Sequence, residues 1–119
     1  MGDDSAARLR EPPVSSVEPV GDTIVVHLRG ELDLYNADEL RSAFSGAIDG
    51  GATRLVVDLD EVEFIDSTAL GVLLEVRARL APGGLLLACP RVEIRRTLMV
   101  SGLDRHLPVH DSIDQALAS

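Results

Sequence analysis

From Thr23 to Cys89 the spacing of apolar residues switches back and forth between a strand rhythm and a helix rhythm. That alternation limits the chain to helices packed on a sheet with parallel neighbours. Thr23 to Gly30 reads as a half-buried strand, with Ile24, Val26 and Leu28 on one side and Thr23, His27 and Arg29 on the other; Val25 is the apolar exception on that second side. Leu40, Ala43, Phe44, Ala47 and Ile48 then recur at helical spacing. Asn36 and Glu39 stand ahead of them as N-cap and N3 of a capping box, and Gly50-Gly51 closes the helix. Leu55-Val56-Val57 is a continuous apolar run, as in a strand covered on both faces. A second helix is expected from near Ser67 to about Leu80. Its buried stripe is Ala69, Leu73, Val76 and Leu80, with Val72 at the margin and Glu75–Arg79 as an outer i,i+4 pair. Pro82-Gly83-Gly84 breaks it, and Leu85 to Cys89 returns as a strand.

The flanks complete the pattern. A short strand over Val14 to Pro19, joined by Gly21-Asp22, pairs with the Thr23 strand and makes the sheet mixed. Pro90 suits the start of a third helix, Val92 to Val100, closed by Gly102. A weak strand near Leu107 to His110 precedes a last short helix, where Ser112 and Gln115 have capping-box spacing. The expectation is an α/β fold: a mixed sheet of about five strands with about four helices packed on it. Residues 1–13 mix charge, Ala and a Pro pair without periodicity and read as a flexible lead-in; 14–119 form the domain.

Composition narrows the function. The 119 residues, 45% hydrophobic, suffice for a core without a metal or disulfide staple. Aromatics are 3% and Trp is absent, which removes the stacking platforms single-stranded nucleic acid needs. The net charge of −9 repels phosphate backbones and anionic membranes, so the expected partner is a protein with a basic face. All 11 basic residues are Arg. Without Lys there is no P-loop phosphate grip, no Schiff base and no kinase catalytic core. A lone cysteine, Cys89, forms no internal disulfide, and the chain shows neither a signal-peptide core nor a membrane-length apolar run. A cytoplasmic protein is expected.

The most informative stretch runs from Val57 to Gly71, where a buried strand ends, a short acidic loop follows, and Asp66-Ser67-Thr68 opens a helix. In one reading Ser67 or Asp66 is an N-cap and nothing more. In the other, the free N–H groups and positive dipole end make a phosphate on Ser67 or Thr68 tolerable to the fold. Gly71 costs a helix interior about 1 kcal/mol relative to Ala. Such a glycine marks close approach of another backbone, from this sheet or from a partner.

Three separated motifs, GELD at Gly30 to Asp33, FIDSTALG at Phe64 to Gly71 and SGL at Ser101 to Leu103, fall in order between matching elements. Together they resemble the STAS-domain anti-sigma factor antagonists, over roughly Val14 to Ser119. The resemblance implies a STAS-like fold and a protein that binds an anti-sigma factor with Ser/Thr kinase activity, releasing a sigma factor. It implies that this kinase phosphorylates Ser67, switching the antagonist off, and that a Ser/Thr phosphatase restores it. Asp33 is expected near the phosphosite, against the plainer reading of a strand-end turn residue. Ala69 stands where many members carry Gly, which leaves the helix sound but alters close approach. The expected partner surface is Asp33, Asp66, Ser67, Thr68, Gly71, Val72 and Glu75. The competing class is a constitutive STAS interaction module of a signalling scaffold or lipid-transport assembly, with Ser67 only a cap.

Other residues carry less. Asp58, Asp60, Glu61, Glu63 and Asp66 suggest a Mg²⁺ or receiver-type acid pocket, but there is no lysine beside them and successive acids on a strand point to opposite faces. Cys89 reads as a small buried hydrophobe. His27, His106 and His110 lack metal spacing and read as surface residues, with Pro108 separating the last two. No catalytic residue, cofactor or metal is assigned.

Overall fold

Two opening strands and three strand–helix crossovers build a five-stranded sheet in a computed structural model that describes residues 10–119. The elements are β1 (Val14–Val20), β2 (Thr23–Leu32), α1 (Ala37–Asp49), β3 (Arg54–Ile65), α2 (Ser67–Arg79), β4 (Leu85–Ala88), α3 (Val92–Ser101), β5 (Val109–His110) and α4 (Ile113–Ala118), with a 3₁₀ turn at Leu103–Arg105. Spatial order follows chain order; β1–β2 is antiparallel and every later pair is parallel. Crossovers of one hand that always step the same way leave their helices on one face. Accordingly Leu40 and Phe44 of α1, Val72 and Leu73 of α2, and Ile94 and Leu98 of α3 share one core with Val26, Leu28, Val57 and Leu87 of the sheet. The other face is thinner: Val25, Val56, Leu86 and Ala88 meet Ala116 of the short α4.

The expected fold class is the observed one, and four local expectations change. The acidic stretch after Val57 is no loop, because β3 continues to Ile65. Register shifts against β2, between His27 and Arg29 and between Gly30 and Glu31, set the buried residues Leu59, Val62 and Ile65 three apart rather than two. A bulge opposes two residues to one and hides the strand period. Gly30 supplies the φ of +72° at this irregularity, a conformation other residues adopt only at a cost.

Asn36 makes no side-chain cap. Its Oδ1 accepts from Asp33 N at 2.9 Å and its Nδ2 donates to Glu31 O at 2.8 Å, so the side chain folds the turn instead of closing a capping box. Glu75 and Arg79 do not pair with each other. Glu75 meets Arg41 of α1 at 2.8 Å and Arg79 meets Asp49 at 3.0 Å, since α1 lies alongside α2 and offers closer partners. Of the three histidines only His106 is exposed; His27 and His110 are half-buried. The lead-in falls mostly outside the described residues, but its end is fastened: Pro13 is buried and its carbonyl accepts from Arg29 N at 2.9 Å.

Candidate functional site

The carboxyl ends of β2 and β3 meet the start of α2, and one residue organises the junction. Asp66 is the N-cap of α2: its Oδ1 accepts from Ala69 N at 2.9 Å, satisfying one of the helix's orphan amides. Its Oδ2 accepts from Leu34 N at 3.0 Å, and its own N–H donates to Leu32 O at 3.0 Å. One carboxylate thus closes a helix and ties down the β2–α1 turn.

Because Asp66 is the cap, Ser67 is not. Ser67 is the first residue of α2, exposed, and among the described residues no hydrogen bond engages its hydroxyl. The cap interaction also fixes the orientation of that first turn, so the hydroxyl leaves a rigid element rather than a free loop. Thr68 is half-buried and less open.

Asp33 sits across the junction, and the arrangement spends it on structure. Its Oδ1 accepts from Tyr35 N at 3.0 Å, and its Oδ2 takes the Arg10 guanidinium at 3.1 Å. Arg10 also donates to Glu31 O at 3.2 Å. Asp33 and Asp66 are therefore brought to the same place through the Leu34 backbone.

Farther along α2, Gly71 is half-exposed and a Cβ built there meets no atom within 4 Å. The sheet therefore does not demand a glycine at this position. Glu75 is exposed but bound to Arg41, whose hydrogen bond holds its carboxyl below the usual carboxylate range. Val72 is the correction in this set. It is completely buried, because it sits on the side of α2 pressed against the sheet, and it has no surface to offer a partner.

Exposed apolar side chains near this junction escaped the sequence reading: Leu34 and Tyr35 in the turn, Phe64 just before Asp66, and Leu74 beside Gly71 on α2. A hint was present in Leu34-Tyr35, two large apolar residues in a turn that polar residues would fill. Cys89 lies beyond β4, half-buried; burial first, and then the Asp58 carboxylate, push its thiol up and keep it protonated.

Residues 15–116 match the STAS domain family. An anti-sigma F factor antagonist of Paenibacillus polymyxa is 34% identical, over 79% of this chain and 83% of that one. An anti-sigma factor antagonist of Mycobacterium paratuberculosis, known from its crystal structure, superposes with a TM-score of 0.80 at 30% identity, over 87% of this chain and 89% of that one. The Bacillus cell fate determinant SpoIIAA, solved in its phosphorylated form, superposes with a TM-score of 0.65 at 29% identity, over 87% of this chain and 96% of that one.

Proposed function

This chain belongs to the STAS-domain family, and from that premise we propose that it is an anti-sigma factor antagonist whose affinity for its partner is set by phosphorylation of Ser67. In this reading it binds an anti-sigma factor that is also a Ser/Thr kinase, frees a sigma factor, and is reset by a Ser/Thr phosphatase. The observation that carries the reading is the division of labour at the start of α2. Asp66 does the capping, so the exposed Ser67 hydroxyl is dispensable to the fold and available to another protein. The contact surface is Ser67, Thr68 and Gly71, flanked by Asp33 and Asp66 and extended by Leu34, Leu74 and Glu75.

The physics of the switch follows from the same geometry. A phosphate on Ser67 brings about −1.5 to −2 charge and three acceptor oxygens. The positive end of α2 compensates roughly 0.3–1 kcal/mol of that, so the domain tolerates it. An interface packed around a bare hydroxyl does not, since it must desolvate a dianion beside Asp66 and leave it without a cation. An unpaired buried charge costs about 3–5 kcal/mol, which is on the order of 100-fold or more in affinity.

The test is calorimetric titration of the cognate anti-sigma factor with wild type, phosphorylated wild type, Ser67→Ala and Ser67→Asp, with thermal melts of each. Ser67→Ala should bind like the unmodified protein and take no phosphate from the kinase and ATP. Ser67→Asp should bind poorly while melting near the wild-type temperature. Equal affinities across the four would mark Ser67 as a bystander and sink the proposal.

A further inference from the structure

On the face of the sheet opposite the three crossover helices, His27 of β2 lies between carboxylates from both neighbouring strands. Its Nδ1 is 2.7 Å from Asp58 Oδ2 of β3, and its Nε2 is 3.1 Å from Glu18 Oε1 of β1. Ionised carboxylates only accept hydrogen bonds, and a neutral imidazole carries a single N–H. Both contacts are satisfied together only by the doubly protonated ring. In either neutral tautomer one ring lone pair faces a carboxylate. The Asp58 carboxylate is itself held, its Oδ1 accepting from Asp60 N at 3.1 Å, so it cannot simply turn away.

We propose that protonated His27 is a clasp that fastens the edge strand β1 to the middle of the sheet, and that loss of its second ring proton loosens β1. Beyond its backbone ladder with β2 and the packing of Val14 at the margin of the core, the strand has little to hold it. Six of its seven residues are exposed, so hydrophobic burial contributes little. Among the described residues it is bonded on one side only, and its register slips between Val14 and Ser16. Ser15 Oγ donates to the backbone carbonyl of His27 at 3.1 Å, so the side-chain ties of β1 converge on the same residue. By contrast, β3 is central and paired on both sides.

The charges around the ring support the protonated state. Glu18 comes from β1 and Asp58 from β3. Cys89 beyond β4 stays a neutral thiol. Arg29, on the same strand as His27, is turned to Glu11 at 3.4 Å and to Pro12 O at 3.0 Å, and α4 contributes apolar Ile113 and Ala116 to this face. Burial alone would lower the imidazole's proton affinity; its hydrogen bonds to Asp58 and Glu18, with their charges, outweigh this and leave it above the ordinary histidine value of 6.5. A group whose folded value is raised contributes stability that is full below its unfolded value and is lost as pH rises through the folded one. The clasp is therefore closed in mild acid and opens toward alkaline pH. None of this depends on the anti-sigma reading.

Ring ¹⁵N NMR titration of His27, combined with amide hydrogen exchange corrected for intrinsic rates, tests the clasp directly. His27 should titrate above 6.5, and protection of the β1 amides should fall by about threefold or more between about pH 6 and about pH 8.5 while β3 amides hold. His27→Gln should abolish that pH dependence. Glu18→Gln, at an exposed position safe for folding, should remove most of it while leaving the Asp58 contact intact. A His27 that titrates at or below 6.5 overturns the proposal. So does β1 protection that is indifferent to pH in wild type, or equally pH-dependent in either variant.

Discussion

At Gly71 the helix forgoes stability that an alanine would supply. No atom within 4 Å would obstruct a Cβ, so Gly71→Ala should raise the melting free energy by about 0.5–1 kcal/mol. If the glycine exists for a partner's close approach, the same variant should lose affinity for the anti-sigma factor while melting higher. A variant both more stable and fully competent would remove Gly71 from the interface. Val72, one residue on, should behave in the opposite way. Val72→Ala opens the core and should cost roughly 1–3 kcal/mol in a denaturant melt, with affinity preserved at temperatures where the variant is folded. At Asp66 the two roles coincide. Asp66→Ala removes the cap of α2 and the tie to Leu34, and should destabilise the domain by about 1 kcal/mol or more, whereas Ser67→Ala should leave the melt unchanged.

Among the α-helices, α4 is the one least secured by its own burial. It has six residues and one completely buried side chain, Ala116. Its last turn is held from the sheet: the Arg54 guanidinium donates to Ala116 O at 2.8 Å, Leu117 O at 3.2 Å and Ser119 O at 2.9 Å. These carbonyls are the orphan acceptors of a helix end, and a guanidinium fork answers several at once. Arg54→Met keeps the stem and deletes the fork; it should cost roughly 1–2 kcal/mol and raise amide exchange in α4 more than elsewhere. Unchanged exchange in α4 would show that Ile113 and Leu117 suffice. The start of α4 was legible, because Ser112 is the N-cap and accepts from Gln115 N at 3.0 Å. Its fastening was not, because Arg54 lies 62 residues from Ala116 along the chain and only the fold brings them together. The helix α3 was legible at both ends. Pro90 precedes it, and Gly102 closes it in the left-handed region at φ +79°.

For the molecule as a whole, charge governs encounter more than fold. With a net charge of −9 and exposed Asp60, Glu61 and Glu63 along β3, association with a basic partner should be steered, and its on-rate should fall as ionic strength rises. Stopped-flow measurements that find the same on-rate at low and physiological salt would refute this. The sequence by itself determined the order and type of the elements, the mixed sheet and the helix-opening hydroxyl. Each of these is written in local periodicity, caps and turn residues, which neighbours along the chain enforce. Only the tertiary structure decided the rest. Pairing with β2 turned the acidic stretch into a bulged strand whose apolar spacing no longer shows a period of two. Packing of α1 against α2 took Glu75 from Arg79 and gave it to Arg41, and the sheet drew Val72 inside. Strand order set Glu18 and Asp58 on either side of His27, a juxtaposition spanning 9 and 31 residues of sequence. Local signals act between residues a few positions apart; which side chains share a face, a charge or a proton depends on distances that exist only once the sheet has closed.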